Sequence, residues 1–134
     1  DGTSIILGDL FSDVDLAIAA RKVIVTCEEL ATEEEIRKDP TLCSLPGFVV
    51  DAVVHTPYGA HPTQLYGYYD YDTPYLKEYD AASRTDEGFR EFMDKYVYGV
   101  KNHSEYIDKI GAVRLADLKV TPGYGYRAEI GREA

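Results

Sequence analysis

Residues 46–57 read PGFVVDAVVHTP and hold the strongest strand pattern in the chain. Pro46-Gly47 is a turn dipeptide, and the run from Phe48 to His55 is rich in β-branched Val, which favours strands. Pro57 ends the run, because proline has no amide hydrogen to donate to a strand ladder. The stretch therefore predicts a strand entered through a turn and left through a loop.

A second strand precedes it. Ser12 is a suitable helix N-cap, apolar residues follow at helical spacing through Ala20, and residues 23–25 read VIV. A helix that leads into a continuous apolar strand is typical of a sheet covered on both faces, commonly a parallel one. We therefore predict an α/β fold with an open, mostly parallel sheet, flanking helices and a helical C-terminal part.

Local signals indicate the remaining helices. Capping-box residues, Pro at a first helical position and an apolar stripe with a period near 3.6 mark them. One helix is predicted from the capping box of Thr32 and Glu35 to before Pro40, and a second from N-cap Thr73 to about Ser83. A third carries a core stripe of Phe89, Phe92, Met93, Tyr96 and Val97 and ends at Gly99. A fourth begins at Asn102 with Glu105, and a short fifth extends from Val113 to Leu118.

The chain begins with a turn dipeptide, Asp1-Gly2, followed by a strand-like stretch at residues 3–7. Such a turn normally follows a strand, so we expect a fragment or a processed chain. An exposed strand edge would then favour self-association. We expect one domain over residues 1–122 and a loose or docked tail over residues 123–134.

Composition excludes several functions. The 134 residues carry 24 acidic and 14 basic side chains, a net charge of −10, so a nucleic-acid footprint of clustered cations is not expected. No apolar run is long enough to cross a membrane. The three histidines lack ligand spacing, so no metal is expected. Cys27 and Cys43 fit reduced thiols in a cytoplasmic protein.

The candidate site is the segment from Val49 to Asp72, in which the stretch from Tyr58 to Tyr71 has no periodicity. In open α/β sheets ligands bind beyond the carboxyl ends of the strands, where Tyr58, Gly59 and His61 would lie. Gly59 permits close approach of the backbone, and His61 can donate or accept a hydrogen bond. The alternative is that these residues build a rigid turn.

Two further patterns each allow two interpretations. Asp51 and His55 share a strand face, so Asp51 would either orient His55 as a general base or accept backbone N–H groups while His55 bonds elsewhere; the second is favoured. Six of the 12 tyrosines lie between Tyr58 and Tyr75. Tyrosine suits interfaces and half-wet pockets better than a sealed core, so residues 66–72 would line a pocket or form an interface with another chain.

Five blocks in order resemble the A subunits of family I CoA-transferases, with the glutaconate type as the nearest likeness. The blocks are residues 1–3 (DGT), 20–29 (ARKVIVTCEE), 46–54 (PGFVVDAVV), 57–62 (PYGAHP) and 66–72 (YGYYDYD). The similarity extends to about Leu118. Family members of this kind are about twice as long, so the chain resembles a C-terminal half.

The resemblance implies an open α/β fold, a partner B subunit, and transfer of CoA between an acyl-CoA and a free carboxylic acid without any cofactor. It implies that a glutamate attacks the thioester to form an acyl anhydride, and that CoA then returns to give a glutamyl thioester. That glutamate belongs to the B subunit. Glu87-Gly88 is the one Glu-Gly pair here and begins a helix, so no catalytic residue is assigned to this chain, which alone is expected to be inactive.

From the residues and the resemblance together, we expect Tyr58, Gly59 and His61 to position the substrate or CoA, with Gln64 and Tyr66 as further candidates. Two alternatives remain open. A chain of this fold would also suit an acyl-CoA hydrolase or ring-opening enzyme, because fold does not determine chemistry. It would also suit a non-catalytic, acidic interaction domain.

Overall fold

The computed structural model describes residues 1–121, 124, 125 and 127. The predicted tail at 123–134 therefore lies largely outside the described residues. The elements in chain order are α1 (Asp13–Ala19), β1 (Ile24–Cys27), α2 (Glu33–Lys38), β2 (Ala52–His55), α3 (Thr73–Ala82), α4 (Asp86–Met93), a π-helical turn (Asp94–Tyr98), α5 (His103–Ile110) and α6 (Ala112–Leu118), with short 3₁₀ turns at Pro40–Leu42 and Gly47–Val49.

The chain forms two compact units, Asp1–Gly59 and the residues from Ala60 onward. The boundary falls inside the stretch that the sequence singles out as a long loop. Tyr58 and Gly59 therefore belong to the first unit, and His61, Gln64 and Tyr66 belong to the second.

The first unit contains the predicted parallel strand pair. β1 and β2 run parallel, with Ile24 opposite Ala52 and Cys27 opposite His55, which confirms the predicted pairing. The second strand is shorter than expected, because residues 47–49 form a 3₁₀ turn. Within the described residues the side chains of β2 are exposed, so the expectation of a sheet covered on both faces is not met there.

The predicted strand at residues 3–7 is wrong. Only Ser4 forms a bridge, to Leu45, through two backbone hydrogen bonds of 2.8 and 3.1 Å. Residues 3–7 include β-forming residue types, but a strand is stable only when several of its residues pair with a neighbouring strand, and here the pairing is limited to the Ser4–Leu45 bridge. The capping box of α2 is confirmed, since Thr32 and Glu35 bond to each other's amides.

The core of the second unit is aromatic. Tyr75, Phe92 and Tyr96 pack together with ring centroids 4.7 to 5.3 Å apart. The expectation that tyrosine would avoid a sealed core is therefore wrong at these positions. The hydroxyl of Tyr96 donates to Glu78 at 3.0 Å, which removes much of the cost of burying a polar tip.

The predicted stripe from Phe89 to Val97 is not one regular core helix. α4 gives way at Asp94 to a π-helical turn that ends at Gly99. Phe92 and Tyr96 are buried, whereas Phe89 and Val97 are substantially exposed. The wider turn rotates the later residues away from a single apolar face. Among the described residues, no helix is long and apolar enough to span a bilayer.

Candidate functional site

His61 is held by side chains that are distant in sequence. Its ring is buried, Nε2 lies 2.8 Å from Oδ2 of Asp72, and Nδ1 lies 2.6 Å from the hydroxyl of Tyr106. Because a carboxylate only accepts, Nε2 must carry the proton. Neutral His61 then accepts the hydroxyl proton of Tyr106 at Nδ1, so both ring nitrogens bond within the protein.

Asp72 is the centre of this group and is fully buried. Its Oδ1 accepts the amide of Tyr75 at 3.0 Å and Nη2 of Arg114 at 2.6 Å. Nε of Arg114 lies 2.5 Å from Oδ2 as an ion-pair contact. A buried carboxylate is tolerated when paired and hydrogen-bonded in this way.

Asp72 also corrects the predicted start of α3. The N-cap is Asp72, one residue before the predicted Thr73, and Pro74 stands at the second helical position. Asp is as good an N-cap as Thr by residue type, so local sequence left both positions open. The contacts of Asp72 with His61 and Arg114 favour Asp72 over Thr73 as the N-cap.

The protonation states follow from burial and charge. Burial lowers the pKa of His61 below its ordinary value, and the carboxylate of Asp72 opposes that shift only in part. Burial raises the pKa of Asp72, but bonds from Arg114, His61 and the Tyr75 amide outweigh it and leave the pKa below its ordinary value. Burial also raises the pKa of the Tyr106 hydroxyl. The group is a neutral histidine beside a carboxylate–guanidinium pair.

His61 and Asp72 close the base of a loop, which we call the 61–72 loop. Beside the side-chain bond, the amide of Asp72 donates to the carbonyl of Pro62 at 3.0 Å. Leu65 and Tyr69 pair through backbone bonds of 2.9 and 3.1 Å, forming a tight turn. A long, aperiodic segment thus becomes a compact loop with its ends together.

The loop is also fastened to the end of α6. The amide of Asp70 donates to the carbonyl of Leu118 at 2.9 Å, and the amide of Val120 donates to the carbonyl of Tyr68 at 3.1 Å. Tyr69 is buried, and its hydroxyl accepts the amide of Ala60 at 2.9 Å. Within residues 66–72, Tyr69, Asp70 and Asp72 are therefore buried, which leaves the exposed residues of this stretch to line a pocket or to form an interface.

The tip of the loop remains available. Gln64 is exposed and Tyr66 is 54% exposed, with Gly67 beside it at φ 81°. Gly125 lies directly against the Tyr66 ring, where a β-carbon would clash. An amide side chain and an aromatic face thus project from a loop whose base and flank are fixed.

Tyr58 and Gly59 occupy a different setting, in the first unit. The carboxylate of Glu28 accepts their amides at 2.6 and 3.2 Å. A β-carbon on Gly59 would fall 2.8 Å from the carbonyl oxygen of Thr56. The close approach that Gly59 permits is thus to Thr56, and its predicted approach to a ligand stays a prediction.

Asp51 does not orient His55. Asp51 accepts the amide of Val23 at 2.8 Å and pairs with Lys22 at 2.6 Å, while His55 Nε2 bonds the carbonyl of Glu28 at 3.0 Å. The favoured interpretation, in which each is satisfied separately, is confirmed. Sequence reasoning missed Arg114, Tyr106 and Glu28 as partners, because no local pattern marks residues that meet across 27 to 45 positions.

No protein-family model matches the chain. It is 34% identical over 109 residues to the A subunit of 3-oxoadipate CoA-transferase of Pseudomonas knackmussii, a match that covers 81% of this chain and 38% of that protein. A solved CoA-transferase has the same fold, with a TM-score of 0.89. In sequence and in fold, the chain is similar to the A subunits of CoA-transferases over most of its own length.

The particular enzyme in that comparison is glutaconate coenzyme A-transferase from Acidaminococcus fermentans. Its crystal structure is 56% identical in sequence and matches 92% of this chain and 39% of that one. The A subunit of glutaconate CoA-transferase from the same organism is 55% identical over 133 residues. The match takes in 99% of this chain but 42% of that relative, so the chain spans less than half of its length. The sequence-based resemblance and fold class are both confirmed.

Proposed function

We propose that the chain is part of a heteromeric CoA-transferase that moves CoA between an acyl-CoA thioester and a free carboxylic acid of the glutaconate type. The observation that carries the proposal is the 55% identity to the A subunit of glutaconate CoA-transferase across 99% of this chain. Overall identity at this level, over an aligned region of 133 residues, supports a common reaction class.

In the proposed mechanism, the nucleophile is a glutamate of the B subunit. Its carboxylate attacks the thioester carbonyl and expels CoA as the thiolate, forming a mixed anhydride. The thiolate then attacks the glutamyl carbonyl of that anhydride, which releases the first carboxylic acid and leaves a glutamyl-CoA thioester. The incoming acid reverses both steps, so one difficult exchange becomes two easier ones.

This chain would supply part of the substrate-binding wall. Gln64 can donate to or accept from an amide or carboxylate, and Tyr66 offers a flat apolar face with a polar tip. We assign these two tip residues to contact with the acyl-CoA or the acid. Since both ring nitrogens of His61 bond internally, its proposed contribution is to hold the loop; Tyr58 and Gly59 remain predicted contacts.

Charge bears on how CoA would be held. The chain has a net charge of −10, whereas CoA is a polyanion. Long-range attraction by this chain is therefore absent, and the phosphates need cations from the B subunit or local backbone N–H groups. The isolated chain is accordingly expected neither to bind CoA tightly nor to turn over.

The test uses a complete A subunit that contains this chain, purified with its B subunit. Acyl-CoA is supplied with and without an acceptor acid, and the new thioester is measured. Transfer that requires the acid supports the proposal, and a CoA adduct found by mass spectrometry on a glutamate of the B subunit supports the mechanism. CoA release at the same rate without an acid would instead identify a hydrolase. Absence of any reaction, together with binding to a protein partner, would favour the interaction domain.

A further inference from the structure

The side chains at the tip of the 61–72 loop are exposed: Gln64 is exposed and Tyr66 is 54% exposed, with Gly125 against one part of the Tyr66 ring. Tyr66 lies within the Leu65–Tyr69 turn and Gln64 directly precedes it, and the bond between Asp72 N and the Pro62 carbonyl closes the base of the same loop. A flexible loop must be ordered before it can bind, and ordering its side chains costs conformational entropy. Whatever closes the base therefore controls how well the tip is prepared for a ligand.

One buried carboxylate joins the base of the loop to the helices beside it. Asp72 receives His61 from the start of the loop, the Tyr75 amide from α3, and Arg114 from α6. Its two oxygens thus connect the loop to two helices. No solvent reaches this carboxylate, so loss of its charge would leave the guanidinium and the histidine N–H without their buried acceptor.

We propose that Asp72 is a positioning residue, which through His61 and Arg114 holds the 61–72 loop so that Gln64 and Tyr66 are preorganised for the substrate. The substrate role of the tip rests on the proposed function, whereas the control of loop order does not. Asp72 itself does not reach the surface and contacts no substrate.

The chain contains a matched control for this carboxylate. Asp80 lies on the same helix, α3, and also pairs with an arginine, Arg84, at 2.7 Å. That pair is exposed at both ends and spaced i, i+4, so it is worth little. D72N and D80N therefore make the same chemical change at the N-cap of α3 and within α3. Asp72 contacts the loop, and among the described residues Asp80 pairs only with an exposed arginine of its own helix turn.

The first measurement is amide hydrogen exchange on the 134-residue chain. D72N keeps an oxygen to cap the Tyr75 amide but loses the charge, so the amides of Leu65 and Tyr69 should exchange about tenfold faster or more, while amides of α4 keep their rates. D80N should change neither set. Unchanged loop amides, or equal acceleration throughout the chain, would overturn the proposal.

A second variant covers the case in which D72N does not fold. H61Q removes the histidine ring but leaves the Asp72–Arg114 pair and the α3 cap. Faster exchange confined to the loop amides supports the proposal. If the H61Q change accelerates exchange of the loop amides no more than exchange of the α4 amides, the proposal is rejected.

The second measurement uses the complete transferase. D72N should raise the KM for acyl-CoA about tenfold and change kcat less, because the loss is in preorganisation for binding. In a Y66A background the added effect of D72N should largely disappear, because both changes act at the same tip. Full additivity would show that Asp72 does not act through the tip. Altered exchange with no effect of Y66A on kinetics would refute the substrate role while leaving control of loop order intact.

Discussion

The carboxylate of Glu28 accepts the backbone amide of Tyr58 at 2.6 Å, across 30 positions of sequence. Glu28 directly follows β1 and Tyr58 lies three residues after β2, so the bond ties together the segments that leave two neighbouring parallel strands. Tyr58 has φ 60°, the left-handed region, which costs a non-glycine residue about 1 kcal/mol. The bond to Glu28 offsets that cost.

We expect E28Q to destabilise the first unit. Glutamine keeps one acceptor oxygen for two amides and loses the charge, so the free energy of unfolding should fall by about 1 to 2 kcal/mol. Urea denaturation followed by circular dichroism measures this change. E29Q is the matched control, one residue on and exposed, and should change the stability by less than about 0.5 kcal/mol. Equal effects of the two variants would show that the amide contacts are dispensable.

Acid should destabilise the second unit in two steps. The folded-state pKa of His61 lies below its ordinary value near 6.5, so below that pH the unfolded chain takes up a proton that the folded chain refuses. Stability due to His61 is therefore complete above about pH 6.5 and falls as the pH drops, by at most about 1.4 kcal/mol per pH unit. Asp72 has a lowered pKa, so its contribution is present above pH 3.8 and disappears as the pH falls through its folded value.

Denaturation curves between pH 7.5 and pH 5 measure the first step. H61Q should flatten the pH dependence in that interval, because the titrating group that the folded state keeps neutral is gone. A slope that persists in H61Q would assign the effect to another group.

The loop tip provides a kinetic prediction for the complete transferase. Y66A should lower kcat/KM for the acyl-CoA about tenfold, because contact with the apolar face of the ring would contribute roughly 1.5 kcal/mol of binding free energy. Y98A changes the same residue type at a position in the π-helical turn that is 73% exposed, and should leave kcat/KM unchanged. Q64A should act in the same direction as Y66A. Unchanged kcat/KM in both tip variants would remove the tip from the substrate site.

H61A separates positioning from direct contact in the same enzyme. Loss of the His61 ring should lower kcat/KM, and exogenous imidazole should not restore activity, since the ring acts by fastening the loop. Unchanged kcat/KM would reject any site role for His61. Restoration by imidazole would indicate that the ring meets the substrate.

The aromatic core provides a stability prediction. Phe92 is 6% exposed and packs against Tyr75, Tyr79 and Tyr96, whereas Phe48 is 89% exposed. F92A should therefore cost about 3 to 4 kcal/mol, and F48A less than about 1 kcal/mol. Thermal and urea unfolding of the two variants make the comparison. A small effect of F92A would show that the second unit does not depend on this cluster.

Several features follow from short stretches of sequence because their physical causes are local. The Thr32–Glu35 capping box, the Asn102 cap of α5 and the end of the π-helical turn at Gly99 each involve residues within a few positions of one another. The parallel direction of the sheet agrees with the helix placed before an apolar strand, although the faces of β2 are not covered. The family follows from the order of several blocks, which a single motif would not establish.

The candidate site in the stretch after β2 stays a prediction. Gln64 and Tyr66, which the sequence analysis names as candidates, are exposed in the structure. The burial of Tyr69 and Asp70 was not predicted, since the same alternation of aromatic and acidic residues fits a pocket lining and a folded loop equally well. Which face of such a tract is buried depends on the helix packed beside it.

The sequence by itself determined where most helices begin and end, the parallel strand pair and the family, because these depend on neighbouring residues and on the order of the sequence blocks. Only the tertiary structure decided that Asp72, rather than Thr73, caps α3 and that it joins His61 to Arg114. Those contacts connect positions 11 and 42 apart, and they meet at a carboxylate that the folded chain buries completely. A buried charge is stable only when it is paired, and the packing of the chain determines which residues lie close enough to pair with it.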